Sequence, residues 1–135
     1  MTTILVISAM DRIGTRLVTR LAGDPGVTVR HLEAPRALRA VLRGVDKLFL
    51  ALPAGEDPVA YADAVLEAAR AERITHLVHV SSDPEVDRRI RASGIPYTLL
   101  RHHAPVDPRQ IADVAAIALA DEEHSGRTFV LRAVA

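Results

Sequence analysis

Two short polar clusters in this 135-residue chain carry side chains able to move protons or hold oxygen atoms: Ser81-Ser82-Asp83 and Arg101-His102-His103. Histidine titrates near neutral pH and is the commonest general acid or base. A guanidinium and hydroxyl groups are the donors that hold carbonyl, carboxylate or phosphate oxygens. His102 and His103 are therefore the candidate proton movers, with Arg101 and Ser81 or Ser82 holding oxygen atoms. A third group, Ser8, Asp11 and Arg12 with Gly14, lies where the first apolar run gives way to a polar turn.

Several chemistries find no residues here. There is no cysteine, which excludes thiolate metal sites, disulfides and a cysteine nucleophile. His76 and His79 lie three apart on a strand-like run and so point to opposite faces, and His102-His103 has no third ligand at local spacing. No metal is expected. Neither a Gly-x-Ser-x-Gly elbow nor a phosphate-binding Walker loop occurs. Asp83 and Asp107 each precede a proline at a helix start, and helix capping accounts for both; Asp83 also belongs to the polar rim.

The elements that must position these groups follow from the hydrophobic pattern. With 49% hydrophobic and 25% charged residues the composition is that of a globular protein, and only 3% is aromatic. Seventeen basic residues balance seventeen acidic ones, so neither a basic stripe nor a set of aromatic platforms suggests a nucleic-acid partner. No apolar stretch reaches the roughly 20 residues that span a bilayer, and no membrane partner is expected. The N-terminus runs straight into a strand without the features of a leader, and a soluble, cytoplasmic protein is the expectation.

Ile4-Leu5-Val6-Ile7 is continuously apolar, as a strand covered on both faces must be. Ile13, Leu17, Val18 and Leu21 recur at helical spacing until Gly23-Asp24-Pro25-Gly26. Val27 to Leu32 reads as an edge strand, and Pro35 as the first residue of a short helix that Gly44 ends. Strands over Leu48–Leu52, Leu77–Val80, Tyr97–Leu100 and Phe129–Leu131 alternate with helices opened by Asp57-Pro58, Asp83-Pro84 and Asp107-Pro108, the last with Gln110 placed as in a capping box. Six strands and five helices in alternation predict one α/β domain over residues 1–135, a doubly wound and mainly parallel Rossmann-like sheet. In such a sheet ligands bind beyond the carboxyl ends of the strands. Ser8, Asp11, Ser81, Ser82, Asp83, Arg101, His102 and His103 all fall at those ends, as do Glu33 and Glu56.

The stretch Thr3 to Gly14, Leu42-Arg43-Gly44-Val45-Asp46, Val80-Ser81-Ser82, Ser93 to Arg101, Asp107 to Ala115 and Gly126 to Leu131 together resemble the NmrA-like atypical short-chain dehydrogenases/reductases. The resemblance covers nearly the whole chain and implies a Rossmann domain that binds NAD(P), as a reductase or as a redox sensor. Three departures from that family's pattern stand out. Its first turn usually reads Thr-Gly-Ala-Thr-Gly-x-x-Gly; here it is Ile7-Ser8-Ala9-Met10-Asp11-Arg12-Ile13-Gly14, and only the last glycine survives. Asp11 adds negative charge where a pyrophosphate would sit, offset in part by Arg12. A helix and strand that usually follow the second strand are missing, and the insertions that form a substrate lid are absent. The Tyr-x-x-x-Lys pair of typical short-chain dehydrogenases is also absent, because Lys47, the only lysine, precedes both Tyr61 and Tyr97.

These departures set the functional expectation. It is a degenerate NmrA-like domain that binds a small organic molecule with no cofactor and catalyses an acid–base step of cyclase, dehydratase or isomerase type. Two alternatives stand beside it: an NAD(P)H-dependent oxidoreductase using Gly14 for the cofactor, and a non-catalytic ligand-binding or regulatory module. With its lid and one sheet edge removed, the domain is expected to cover an apolar face by forming a homodimer.

Overall fold

The computed structural model describes residues 1–103, 105–120 and 125–132. Six strands, β1 (Thr2–Ile7), β2 (Val27–Leu32), β3 (Lys47–Leu50), β4 (His76–Val80), β5 (Tyr97–His102) and β6 (Arg127–Leu131), form one sheet in the order β2-β1-β3-β4-β5-β6. All five pairings are parallel. Five helices make the crossovers: α1 (Arg12–Ala22), α2 (Leu38–Leu42), α3 (Pro58–Ala71), α4 (Pro84–Ala92) and α5 (Pro108–Ala120).

The strand period of two divides the sheet between two cores. Leu5, Ile7, Leu48, Leu50, Leu77 and Leu99 point to a face covered by α2, α3 and α4, where Leu42, Val65, Leu66, Val86 and Ile90 meet them. Ile4, Val6, Phe49, Val78 and Leu100 point to the other face, covered by α1 and α5 through Leu17, Ile111, Ala115 and Leu119. The continuous apolar runs in the central strands are thus explained by helices on both sides.

Helix starts follow the expected aspartates. Asp11 accepts hydrogen bonds from the Ile13 and Gly14 backbone N–H groups, Asp57 from those of Val59 and Ala60, and Asp83 from that of Glu85. Asp107 receives the Arg109 N–H at 2.9 Å. The helix expected to begin at Pro35 begins instead at Leu38 and has no side-chain cap. Ala34 takes a left-handed φ of 46°, and the Pro35 carbonyl accepts the Tyr61 hydroxyl at 2.8 Å, so this segment turns before the helix can start. β5 runs two residues further than its apolar core because Arg101 and His102 pair with Val130 and Leu131 of β6. Two members of the polar cluster are thereby strand residues with fixed direction.

β1 sits inside the sheet: the chain leaves it towards β2, crosses back, and then proceeds outward from β3 to β6. The order therefore reverses between β1 and β3, and the crevice beyond their carboxyl ends is where such sheets take ligands.

Candidate functional site

Beyond β1, the first polar group builds a cradle that its own Asp11 carboxylate fills. Gly14 is packed so tightly that a Cβ there would lie 2.3 Å from Ser8 Oγ and 2.5 Å from the Ala9 carbonyl oxygen. Only glycine lets α1 approach the strand end this closely, the packing role of the last glycine in a dinucleotide loop. The Ile13 and Gly14 N–H groups at the positive end of α1 donate to Asp11 Oδ1 at 3.1 and 2.9 Å. The Asp11 carboxylate, itself exposed, is thus the anion at the helix end. Ser8, expected on the ligand rim, is 3% exposed; its hydroxyl donates to the Ala9 carbonyl and lies 3.3 Å from His31 Nε2. Arg12 is exposed and lines a cavity of about 720 Å³ with Arg16, Thr19 and Arg109, between α1 and the start of α5.

The other two groups are brought together. Ser81, Ser82, Asp83, Arg101, His102 and His103 line one open cleft of about 550 Å³ at the carboxyl ends of β4 and β5. Its floor is a residue that the sequence reading did not single out. Asp87, 1% exposed on the inward side of α4, accepts the Ser81 hydroxyl at 2.5 Å and the Arg101 Nη2 at 3.0 Å. Hydrogen bonds to a charged group contribute about 1.5–3 kcal/mol each, which is how a buried carboxylate is held here. Its position falls in the apolar stripe of α4 between Val86 and Ile90, so a charge out of place in the helical period was the signal available in the sequence.

Asp83 caps α4 as expected, and His103 is exposed at the mouth of the cleft. His76 and His79 point to opposite faces, as their spacing requires: His76 Nε2 pairs with Thr98 Oγ1 at 2.8 Å, whereas His79 Nδ1 pairs with the Leu50 carbonyl at 2.8 Å. Burial holds the His79 imidazole below its ordinary pKa, against the upward pull of the Leu50 carbonyl and of the Asp87 charge. Tyr61 has its hydroxyl on the Pro35 carbonyl, and burial and then the Glu56 charge push its pKa up. Among the described residues no group of three or more His, Cys, Asp or Glu could hold a metal ion, and no helix is long and apolar enough to cross a membrane.

No family model matches the sequence, and no curated protein matches it. Solved structures do. The triphenylmethane reductase of Citrobacter sp., determined in complex with NADP(H), is 21% identical with a TM-score of 0.82, over 98% of this chain and 70% of that one. An NADPH-dependent quinone oxidoreductase from Escherichia coli, complexed with NADPH, is 20% identical with a TM-score of 0.74, over 95% of this chain and 68% of that one. A nucleoside-diphosphate-sugar epimerase from Staphylococcus aureus is 14% identical with a TM-score of 0.76, over 97% and 71%.

These neighbours correct the expectation of a domain without a cofactor, because two of them hold NADP(H) or NADPH on the same fold. The physical reason is visible in the cradle. The Gly14 contact and the α1 N–H donors are both present, and the group seated on those donors is the exposed Asp11 side chain. The chain therefore shares the Rossmann-like fold of these reductase and epimerase structures.

Proposed function

We propose that the chain is an NAD(P)H-dependent oxidoreductase of NmrA-like type acting on a small organic molecule bound in the cleft between β4 and β5. The observation that carries this reading is the α1 N-terminus at the switch point, where a glycine-tight turn directs two N–H groups at the chain's own Asp11 carboxylate. In this reading the cofactor's pyrophosphate takes the place of the Asp11 carboxylate, Arg12 contributes positive charge beside it, and NAD(P)H when bound supplies a hydride.

The substrate's oxygen is held by Arg101, and Ser81 offers its Oγ as an acceptor to a substrate hydroxyl; Asp87 fixes both from below. Ser81 directly follows β4, which lies two places from β1, about 10 Å across the sheet at ordinary strand spacing, and Arg101 is on β5, one place further. His102 and His103 at the mouth exchange protons with solvent, and Ser82 and Asp83 shape the rim. Because both Ser81 and Arg101 donate to Asp87, their positions are fixed together, with a guanidinium donor and a hydroxyl oxygen that accepts side by side at the cleft.

Calorimetric titration with NADPH and then NADH tests the first half. Following NADPH oxidation with a quinone and with a triphenylmethane dye as probe acceptors tests the second. Micromolar binding with turnover that falls in a His102→Ala, His103→Ala double variant supports the reading; no binding of either nucleotide at millimolar concentration overturns it. The Asp11 cap favours a second reading, a regulatory or ligand-binding module: nucleotide bound, with no oxidation by any acceptor.

A second copy is the proposed partner. Ile117 and Val130 are 54% and 46% exposed beside the β6 edge, around an apolar cavity of about 290 Å³ that Val114 and Ala118 also line.

A further inference from the structure

Below the cleft two buried polar atoms, His79 Nε2 and Asp87 Oδ1, have no hydrogen-bond partner among the described residues. They belong to residues that are 0% and 1% exposed. Ser81 lies two residues after His79, just past the end of β4, where its N–H still donates to the Leu100 carbonyl at 2.8 Å; continuing the strand alternation puts it on the face of His79, and its Oγ touches Asp87. The charge of Asp87 is felt at the His79 ring.

The tautomer of His79 follows from its one bond. A carbonyl oxygen only accepts, so Nδ1, 2.8 Å from the Leu50 oxygen, carries the proton. In the neutral ring Nε2 is then a bare acceptor. Asp87 Oδ1 is also an acceptor, and no direct hydrogen bond or ion pair joins the two. A single water molecule giving one hydrogen to each would satisfy two buried acceptors that have no donor.

We propose that Ser81, Asp87, one internal water and His79 form a proton relay from the cleft into the core, with Ser81 Oγ as its ligand-facing end and His79 Nε2 as its terminal base. A hydroxyl group bound in the cleft gives its proton to Ser81 Oγ as the Ser81 proton passes to Asp87 Oδ2. The carboxyl group turns about its Cβ–Cγ bond to bring the protonated oxygen to the water, which takes that proton as it gives one to His79 Nε2, leaving the ligand an alkoxide and His79 an imidazolium. In reverse, the same chain returns the proton to an alkoxide formed by reduction of a carbonyl. No electrons move, and no other reactant is needed. Asp87 and His79 act through Ser81 and are positioning residues.

The groups facing this chain from each packed element are few. Asp87 comes from α4, Arg101 from β5 and the Leu50 carbonyl from β3. The buried titratable side chain on α3, Tyr61, is turned to the Pro35 carbonyl.

The inference rests on the reading of the cleft as a ligand site, not on the cofactor, and its test needs neither substrate nor NADPH. In NMR of the ¹⁵N-labelled full chain, His79 is expected as the Nδ1–H tautomer with a water cross-peak to the ring. The Ser81 hydroxyl proton is expected to be slow to exchange and to shift with pH at the same midpoint as His79. His79→Gln should keep that hydroxyl signal and abolish its pH dependence. If His79→Gln does not fold, Ser81→Ala serves instead, and removal of the donor to Asp87 should raise the His79 midpoint. An Nε2–H tautomer, unlinked midpoints, a hydroxyl that titrates unchanged in His79→Gln, or an unmoved midpoint in Ser81→Ala would each overturn the relay. Nucleotide binding measured in parallel separates this failure from failure of the oxidoreductase reading.

Discussion

Replacing Asp11 by glycine should tighten NADPH binding, and the size of the gain can be worked from the cradle. The Asp11 carboxylate accepts from the Ile13 and Gly14 N–H groups, where a pyrophosphate would be bound. Rotating it away leaves its charge on the same turn, about 4 Å from two phosphate charges. Asp11 is exposed, so a water-like dielectric applies and each repulsion is about 1 kcal/mol, giving about 2 kcal/mol in all. That corresponds to roughly 30-fold in Kd.

The backbone tolerates the change, because Asp11 has φ −112° and ψ −170°, and glycine is an acceptable N-cap that costs a few tenths of a kcal/mol. Asp11→Asn keeps a cap, removes the charge and should recover most of the gain. The assay is isothermal calorimetry of wild type and both variants at matched ionic strength. The difference should shrink in high salt, since the Debye length falls to about 3 Å at 1 M. An Asp11→Gly Kd within about threefold of wild type would refute the argument that this carboxylate is what weakens the loop.

Three further outcomes are expected. Gly14→Ala should cost about 1–3 kcal/mol in urea unfolding, since the new Cβ meets the Ala9 backbone oxygen, which cannot turn aside as the Ser8 hydroxyl can; an unchanged midpoint would mean the turn is looser than described. The Arg109 side chain, with help from its backbone N–H, holds Asp107 down at a pKa of about 2 instead of 3.8, so its stabilising effect is present above 3.8 and is lost as pH falls through about 2; in Arg109→Ala the NMR carboxyl titration of Asp107 should move back towards 3.8, and a fixed midpoint would reject that cause. Light scattering should give twice the chain mass, and Ile117→Asp should reduce it to a monomer; a monomeric wild type at micromolar concentration removes the proposed interface.

Much of this protein was legible one residue at a time. The runs Ile4-Leu5-Val6-Ile7 and Leu77-Val78-His79-Val80 required helices on both faces of a parallel sheet, and the Asp-Pro pairs at 57–58, 83–84 and 107–108 fixed three helix starts, because capping and proline geometry are local. The rim residues Ser81, Ser82, Asp83, Arg101, His102 and His103 followed from the rule that places ligands at strand carboxyl ends, and one cleft gathers all six.

What the sequence by itself determined, then, was the alternation of elements and the edge on which polar residues collect, since both depend on short-range pattern. The tertiary structure decided what those residues touch. Only packing α4 on β4 and β5 puts Asp87 under Ser81 and Arg101 and leaves His79 and Asp87 each with an unmatched acceptor. Only the register of β5 with β6 makes strand residues of Arg101 and His102, and only the approach of α1 to Ser8 shows why residue 14 must be glycine. These are contacts between residues distant in sequence, set by how whole elements dock, and no local period encodes them.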